Sequence, residues 1–261
     1  MGTKTNYWQN VWQERGAKAS FLDPIKFDGF DLGPGKLCKK QVEFLAKKIK
    51  QSLNLNKNDV ILEVGCGAGM TLGPISNFVK LAYGVDFADS LLTRAKGFYP
   101  ELRLITGEAN DLPFKDKMFD KVYSFSVFEY FPSLNYAEKA IKEMIRVLKP
   151  GGIIYINTPN YWFPYEGHYK IPFPTFLPKI FGSMFLKLLN RPTVYFTKNV
   201  HYITEKQISK ILNEKKDIYW FRIFQPLTRK KGVKYVFFNF LKFNLFVYPN
   251  QEIVIRKIIQ D

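Results

Sequence analysis

The stretch VILEVGCGAGMT, residues 60–71, passes from a short apolar segment into three glycines at alternate positions. A strand that runs into a glycine loop is typical of α/β proteins that bind a ligand where the strand ends. Such loops accept several kinds of phosphate-bearing or nucleoside-bearing ligand. The residues around the loop must therefore identify its ligand.

Two common ligand classes do not fit this loop. A phosphate loop of the GxxxxGK[ST] type needs a lysine, and none follows Gly69. A dinucleotide loop needs its third glycine where Met70 stands. Glu63, two residues before Gly65, is expected beneath the loop, where a carboxylate would repel a pyrophosphate but suit an ammonium or sulfonium group. Asp86, at the end of the second predicted strand, suits a ribose in either case.

Strand-length and helical segments alternate from about residue 36 to residue 157. The predicted strands are 60–64, 81–87, 102–106, 119–127 and 152–157, followed near the end of the chain by 217–224 and 252–258. Strands separated by helices predict right-handed crossovers and a parallel sheet. The sequence thus predicts an α/β fold: a Rossmann-like, doubly wound, mostly parallel sheet with helices on both faces and an antiparallel last strand.

Local signals predict how the helices begin and end. Asp89 or Ser90 is expected to cap the helix over 89–98. Lys149-Pro150-Gly151-Gly152 is expected to end the helix before it and to turn the chain. Thr204 and Gln207 form a capping-box pattern ahead of another helix.

The alternation stops after Thr158, where prolines and aromatic residues predominate up to about Val200. An insertion of this kind after a fifth strand usually carries function or binds a partner. Four regions are predicted: a lid segment (1–35), a cofactor-binding core (36–158), an acceptor-pocket insertion (159–203), and a helix with strands that complete the core (204–261).

Composition excludes several classes of protein. Cys38 and Cys66 form neither a disulfide framework nor a metal-ligand pattern, which indicates a reducing cytoplasm. The opening MGTKTNYWQN lacks an apolar signal core, and no apolar stretch reaches the roughly 20 residues of a membrane span. The net charge of +16 invites a nucleic-acid partner, but only eight of the 39 basic residues are Arg and none forms an Arg-rich tail.

Five motifs in order resemble the class I S-adenosylmethionine-dependent methyltransferases. They are Glu63–Gly69, Gly84–Phe87, Gly107–Ala109 with Leu112–Phe114, Phe119–Tyr130, and Leu148–Gly152. Together with the terminal helix and strands, the resemblance covers about two thirds of the chain. It implies S-adenosylmethionine as the cofactor, S-adenosylhomocysteine as the product, and methyl transfer as the activity.

The resemblance also implies roles for individual residues. The methionine end of the cofactor would face Glu63, the backbone of Gly65, Gly67 and Gly69, and Ser126. The nucleoside end would contact Asp86 through both ribose hydroxyls, Phe87 beside the adenine, and Glu108 with the Ala109 amide at the adenine edge. The family often has Asp where Glu108 stands, and Phe87 has packing in the core as its alternative role. Tyr7 resembles a residue of the amino-terminal helices that cover the cofactor in this family.

The acceptor side rests on fewer residues. His168 within the insertion is the candidate general base, with Glu166 to orient it, and a structural histidine bonded to the backbone is the alternative. His201 is interpreted mainly as structural. Glu129 and Tyr130, after the fourth strand, are further pocket candidates. No Asp, Glu and His cluster suggests a metal.

The leading hypothesis is methylation of a hydroxyl on a small-molecule, sugar or lipid-linked acceptor. The alternatives are N- or C-methylation of a lipid, quinone or amine, and a basic protein associated with nucleic acid. Residues 178–190 form an apolar helical face between lysines. That face could cover the pocket, pack against a second subunit in a homodimer, or rest on the inner face of an anionic membrane.

Overall fold

The computed structural model describes residues 10, 13, 39–160, 178–190, 193, 203–223 and 250–259. The described helices are α1 (Lys39–Leu53), α2 (Leu72–Ser76), α3 (Asp89–Phe98), α4 (Leu134–Val147), α5 (Lys179–Leu188) and α6 (Glu205–Asn213). The strands are β1 (Val60–Val64), β2 (Leu81–Asp86), β3 (Arg103–Thr106), β4 (Phe119–Phe125), β5 (Leu148–Pro159), β6 (Ile218–Arg222) and β7 (Asn250–Lys257). A short 3-10 helix (Phe128–Tyr130) follows β4.

All seven strands form one sheet in the order β3-β2-β1-β4-β5-β7-β6. The strands from β1 to β5 pair in parallel, whereas β7 runs antiparallel to both of its neighbours, β5 and β6. The predicted Rossmann-like sheet with an antiparallel last strand is therefore confirmed.

The strand order places a topological switch point between β1 and β4. From β1 the chain proceeds outward through β2 to β3, and then returns to the other side of β1 as β4. The connections after β1 and β4 therefore diverge and leave a crevice at the carboxyl ends of these strands, which is where open α/β sheets bind ligands. Glu63 in β1 and Tyr123 in β4 are direct neighbours across this point.

One predicted helix cap is wrong, and one predicted turn is only partly right. The N-cap of α3 is Ala88, which makes no side-chain cap, and neither Asp89 nor Ser90 caps this helix. The Lys149–Gly152 segment follows the end of the helix as predicted, since α4 stops at Val147, but it forms an irregular first part of β5, with Gly151 at a φ of +76°, and not a separate turn. The register with β4 jumps from Leu148↔Phe119 to Ile153↔Lys121, so the residues between them, whose local preference is for a turn, bulge out of the ladder.

The capping box of α6 is confirmed. The Thr204 side chain accepts a hydrogen bond from the Gln207 amide, and the Gln207 side chain accepts one from the Thr204 amide. The apolar face of α6 is buried through Ile208, Ile211 and Leu212. The helix is thereby fixed on the same side of the sheet as α4.

A buried ion pair joins α1 to β7. Lys48 pairs with Glu252, and the exposed fractions of the two side chains are only 12% and 6%. The Tyr155 hydroxyl donates to the second carboxylate oxygen of Glu252 at 3.0 Å. These contacts connect the antiparallel strand to a helix that lies far from it in the sequence.

In the ranges that the structure describes, no helix has the length and apolar character needed to cross a membrane.

Candidate functional site

The glycine loop bends across the carboxyl end of β2. The amides of Gly65 and Cys66 both donate to the Val85 carbonyl, at 2.8 and 3.1 Å. Gly65, Gly67 and Gly69 have φ angles of +78°, +49° and +77°, in the left-handed region that residues with a side chain rarely adopt. The backbone conformation thus explains why glycine recurs at alternate positions.

Gly65 also lacks room for a side chain. A Cβ atom there would lie 2.4 Å from a γ carbon of Val127. At Gly67 the nearest atom would be Leu91 Cδ1 at 3.9 Å, so that side of the loop is open. Gly65 is therefore needed for packing as well as for backbone conformation.

Replacing Gly65 by Ala is expected to lower the free energy of unfolding by about 1–3 kcal/mol, since the variant combines left-handed strain with the Val127 clash. The matched control is Gly67→Ala, which should lose only about 1 kcal/mol because its Cβ enters open space. Urea unfolding followed by circular dichroism measures both changes. Equal losses in the two variants would contradict the packing role of Gly65.

Glu63 lies at the switch point beneath the glycine loop and is 2% exposed. Its carboxylate oxygens accept hydrogen bonds from the hydroxyls of Thr71, in the glycine loop, and Tyr123, in β4, at 2.5 and 2.9 Å. Both partners are neutral, and among the described residues no Lys or Arg pairs with this carboxylate. The structure therefore holds a buried acidic group in a fixed orientation without a cation.

Burial raises the pKa of Glu63 to about 8, because desolvation disfavours the charged form more than the two hydroxyl bonds favour it. The negative charge of Asp86 raises this pKa further. A cation placed beside Glu63 would favour ionisation and lower the pKa again. Binding of a cationic ligand at Glu63 should therefore release a proton.

Asp86 ends β2 on the other side of the loop. Its Oδ2 accepts from the Gly67 amide and its Oδ1 from the Ala88 amide, both at 2.9 Å. Burial raises the pKa of Asp86 to about 6, although these amide bonds oppose the shift. Each oxygen retains a lone pair, so the carboxylate can still accept from two ligand hydroxyls.

Glu108 is the third carboxylate of the site. The Tyr136 hydroxyl in α4 donates to it, and its charge contributes to the raised pKa of Asp86. Ala109 and Phe87 are both partly exposed. Each can therefore reach a ligand, and their roles at the adenine stay predictions.

Ser126 has a φ of +55°, which is unusual for a residue other than glycine. Its amide donates to the Asn157 carbonyl in β5 at 2.9 Å, and this bond keeps the left-handed turn next to β4. Backbone strain at the carboxyl end of a strand is frequently found at functional sites. The position agrees with a cofactor role for Ser126 and leaves that role a prediction.

The amino-terminal region contacts the site through Gln13. The side chain of Gln13 donates to the Phe87 carbonyl at 3.4 Å and accepts from the Ser90 amide at 3.2 Å. The Ser90 hydroxyl also donates to the Gln13 carbonyl at 2.8 Å. A residue of the predicted lid segment thus lies beside the end of β2, where Asp86 is located.

Four predicted residues lie outside the residues that the structure describes. They are Tyr7 of the lid segment, and Glu166, His168 and His201 of the insertion. Their roles stay predictions.

The described acceptor candidates lie after β4. Glu129 and Tyr130 are in the 3-10 helix, and both are buried. The Thr158 hydroxyl, at the carboxyl end of β5, lies 3.5 Å from a carboxylate oxygen of Glu129. Glu129 is therefore buried at the carboxyl edge of the sheet, within reach of β5.

Sequence reasoning did not identify four residues of the site. Thr71 and Tyr123 hold Glu63, Tyr136 holds Glu108, and Gln13 contacts the loop after β2. The sequence offered a weak indication of the contact between Tyr123 and Glu63, because the order of the motifs places β4, which contains Tyr123, next to β1. The others act through tertiary contacts that leave no local pattern.

The residues present fit the cofactor that the resemblance implies. Three acidic side chains, Glu63, Asp86 and Glu108, surround a loop whose glycine backbone leaves space at Gly67. A cationic amino-acid end suits Glu63, and two ribose hydroxyls suit Asp86. A pyrophosphate would instead meet the carboxylates of Asp86 and Glu108 and the carboxyl of Glu63, none of which supplies a counterion, so this arrangement disfavours a dinucleotide.

Comparison with known proteins agrees with this site. Residues 62–156 match a protein family described as "Methyltransferase domain". Sterol 4-C-methyltransferase strm-1 of Caenorhabditis elegans is 31% identical over 165 residues, which are 59% of this chain and 46% of the relative. Demethylmenaquinone methyltransferase of Staphylococcus aureus (strain JH9) is 30% identical over 153 residues, which are 54% of this chain and 60% of the relative.

A solved structure shows the same fold. Phosphoethanolamine N-methyltransferase 1 of Haemonchus contortus, in complex with phosphoethanolamine and S-adenosylhomocysteine, aligns with a TM-score of 0.62 at 14% identity. The alignment covers 97% of this chain and 48% of that chain. The chain spans about half the length of the curated relatives that it matches.

Proposed function

We propose that this chain, which carries a class I S-adenosylmethionine-dependent methyltransferase domain, transfers the cofactor's methyl group to a small-molecule acceptor. The first candidate acceptor atom is a hydroxyl oxygen of a small-molecule, sugar or lipid-linked compound. The observation that carries the proposal is the buried Glu63 carboxyl at the switch point, held by two neutral hydroxyls and lacking a cation among the described residues.

The cofactor, when bound, supplies a methyl carbon activated by a neighbouring sulfonium. Glu63 would hold the ammonium group and favour the positive charge, while Asp86 would accept from the ribose hydroxyls. The backbone of the glycine loop can approach the ligand closely because no side chain intervenes at Gly67. In-line displacement depends on alignment, so holding both ends of the cofactor is the main task of these residues.

The acceptor side of the proposal rests on two carboxylates and a histidine. His168 would remove the proton of an acceptor hydroxyl, and Glu166 would orient its imidazole ring. Glu129, which is buried beside Thr158, would accept a hydrogen bond from the same acceptor. Its location at the carboxyl end of β4 supports this role, because ligands of open α/β sheets bind at that edge.

Replacing His168 by Ala is expected to lower turnover by about 100-fold, since a positioned general base contributes at least that factor. Affinity for S-adenosylhomocysteine should stay within about twofold, because the cofactor is held by β1 and β2 rather than by the insertion. Turnover is followed with S-adenosylmethionine labelled at its methyl group, and affinity by calorimetry. Unchanged turnover would reject His168 as the base.

Methyl transfer to carbon is the second candidate. It is favoured by the relative named as a sterol 4-C-methyltransferase, while the one named as a demethylmenaquinone methyltransferase favours a menaquinone-type acceptor. The structural neighbour with phosphoethanolamine is named as an N-methyltransferase, so nitrogen is a third acceptor atom. The same cofactor site would serve all three atoms, because the acceptor would be held by the insertion after β5 and not by the residues that hold the cofactor.

The experiment that tests the proposed function uses S-adenosylmethionine with a 13C-labelled methyl group. The purified protein is incubated with sugar, quinone, sterol and phospholipid fractions, and the products are analysed by NMR. The shift of the methyl carbon distinguishes transfer to oxygen, nitrogen and carbon. Label in none of the fractions, together with salt-sensitive retention on tRNA, would instead favour the nucleic-acid alternative.

An apolar or lipid-linked acceptor would be reached at a membrane surface. The aromatic insertion and its lysines support such a location, which we include in the proposal as peripheral contact with the inner face of a membrane. A homodimer is the alternative use of the same surface.

A further inference from the structure

The α5 helix exposes the face that an amphipathic helix normally buries. Its exposed side chains include Ile180, Met184 and Leu188, with exposed fractions of 64%, 61% and 83%. These positions are four residues apart and therefore form one continuous stripe. Phe181, exposed to 55%, widens the stripe on one side.

The opposite side of α5 attaches the helix to the protein. The buried residues of the helix are Gly182 and Leu186, which lie on the other side of the helix from Met184. The small Gly182 and the single Leu186 occupy a narrow attachment surface. None of the described parts of the chain buries the large apolar residues of the stripe, which leaves them available to an outside partner.

The charge around the stripe indicates which partner fits. Lys187 is exposed and adjoins the stripe, Lys179 begins the helix, and α5 contains no acidic residue. In the sequence, no Asp or Glu occurs between Glu166 and Glu205. Over that stretch the chain has five basic residues, namely Lys170, Lys179, Lys187, Arg191 and Lys198.

A second segment of the sequence has the same character. Between Asp217 and Glu252 there is no acidic residue. The basic residues of that segment are Arg229, Lys230, Lys231, Lys234 and Lys242, together with Arg222, whose nearly buried side chain forms an ion pair with Glu205. Apolar side chains combined with an excess of positive charge match the boundary between the headgroups and the acyl chains of an anionic bilayer.

We propose that α5 docks on the surface of an anionic membrane, with Ile180, Phe181, Met184 and Leu188 inserted among the lipids and Lys187 at the headgroups. Helices that lie in the plane of a membrane have this arrangement of an apolar stripe beside basic residues. The inference rests on the proposed function in one respect: an apolar acceptor gives the docked enzyme a substrate at that surface.

Vesicle flotation tests the docking. The probes are vesicles of phosphatidylcholine alone and vesicles of phosphatidylcholine mixed with phosphatidylglycerol. The wild-type protein should float with the mixed vesicles and stay in solution with the neutral ones. Met184→Asp should reduce flotation at least tenfold, because it places a negative charge in the stripe. Lys187→Glu should reduce flotation severalfold and should do so most at low salt.

Two controls match these variants. Ile259→Asp changes an apolar side chain that is exposed to 67% beyond the end of β7, and Lys57→Glu changes an exposed lysine before β1. Both positions lie at the amino-terminal edge of the parallel strands, and both variants should float like the wild type. Circular dichroism confirms that each variant is folded.

Other results would overturn the docking proposal. The docking proposal is wrong if the wild-type protein stays in solution with the mixed vesicles. It is also wrong if Met184→Asp floats like the wild type. A wild-type dimer that Met184→Asp converts to a monomer, without vesicle binding by either form, would assign the stripe to a second copy of the chain. Affinity for S-adenosylhomocysteine is measured in parallel. A wild-type protein that does not bind this ligand would contradict the proposed function and not the docking proposal.

Discussion

Glu63→Gln is expected to weaken binding of S-adenosylhomocysteine by roughly 30-fold to several thousand-fold, which corresponds to a loss of about 2–5 kcal/mol. The substitution keeps the size of the side chain, and its amide oxygen still accepts from one of the two hydroxyls of Thr71 and Tyr123 while its NH2 donates to the oxygen of the other, but it removes the negative charge at the switch point. The ammonium group of the ligand would then be desolvated without a counterion. Isothermal titration calorimetry measures the change.

The pH dependence of binding provides a second test of Glu63. Its pKa of about 8 in the free protein means that the carboxyl is mostly protonated at pH 6.5. Binding of a cation requires the carboxylate, so affinity should rise with pH and level off above about pH 8. At pH 6.5 binding should release a proton, which appears as a dependence of the measured heat on the ionisation enthalpy of the buffer.

The Glu63→Gln variant is also the control for this proton. Asp86, with a pKa of about 6, can contribute a second and smaller release at pH 6.5. The difference between wild type and variant isolates the Glu63 contribution. If both proteins release the same number of protons, Glu63 is not the group that meets the cation.

Lys48→Met is expected to lower the free energy of unfolding by about 3–5 kcal/mol. Lys48 and Glu252 are nearly buried, so removal of the lysine leaves an uncompensated carboxylate between α1 and β7. The hydrogen bond that remains is donated to Glu252 by the neutral hydroxyl of Tyr155, and it does not balance the charge of the carboxylate. Urea unfolding with linear extrapolation gives the change.

The matched control is the double variant Lys48→Met with Glu252→Gln. Because it removes both charges, it should recover most of the stability that the single variant loses. Affinity for S-adenosylhomocysteine should be similar in the folded single and double variants, since the hydrogen-bond partners of Glu63 are Thr71 and Tyr123 and not Lys48 or Glu252. A single variant as stable as the wild type would contradict the structural role of the pair.

The sequence motifs were sufficient to predict the sheet and the acidic residues at the ends of β1 and β2. Periodicity marks each strand, and alternation with helices implies parallel pairing. Spacing from the glycines then places Glu63 beneath the loop, where the structure has it. These features follow from local pattern because strand, loop and helix are contiguous in the chain.

Residues that act across the fold could not be predicted in this way. Asp86 accepts from the Ala88 amide, and the helix that follows begins without a side-chain cap, although Asp89 and Ser90 are good capping residues. Tyr136 reaches Glu108 from α4, a helix that belongs to a later crossover. Such contacts depend on how elements pack, which propensity does not encode.

The α5 helix shows a further limit of pattern reading. Periodicity identified one apolar face containing Phe181, Met184 and Leu188, but it could not show whether that face lies inside or outside the protein. In the structure the face is exposed, and only Gly182 and Leu186 of the helix are buried. The same pattern is compatible with a core helix and with a surface that binds a partner.

The most direct test of the central claim compares two ligands on the wild-type protein by calorimetry at pH 7. S-adenosylhomocysteine should bind with one-to-one stoichiometry, because Glu63 and Asp86 suit its ammonium group and its ribose. NADH should not bind measurably, because its pyrophosphate would be repelled by the Asp86 carboxylate and would gain no counterion from Glu63, which is mostly protonated at pH 7 in the free protein. Binding of NADH without binding of S-adenosylhomocysteine would contradict the assignment of this site to a methyl donor.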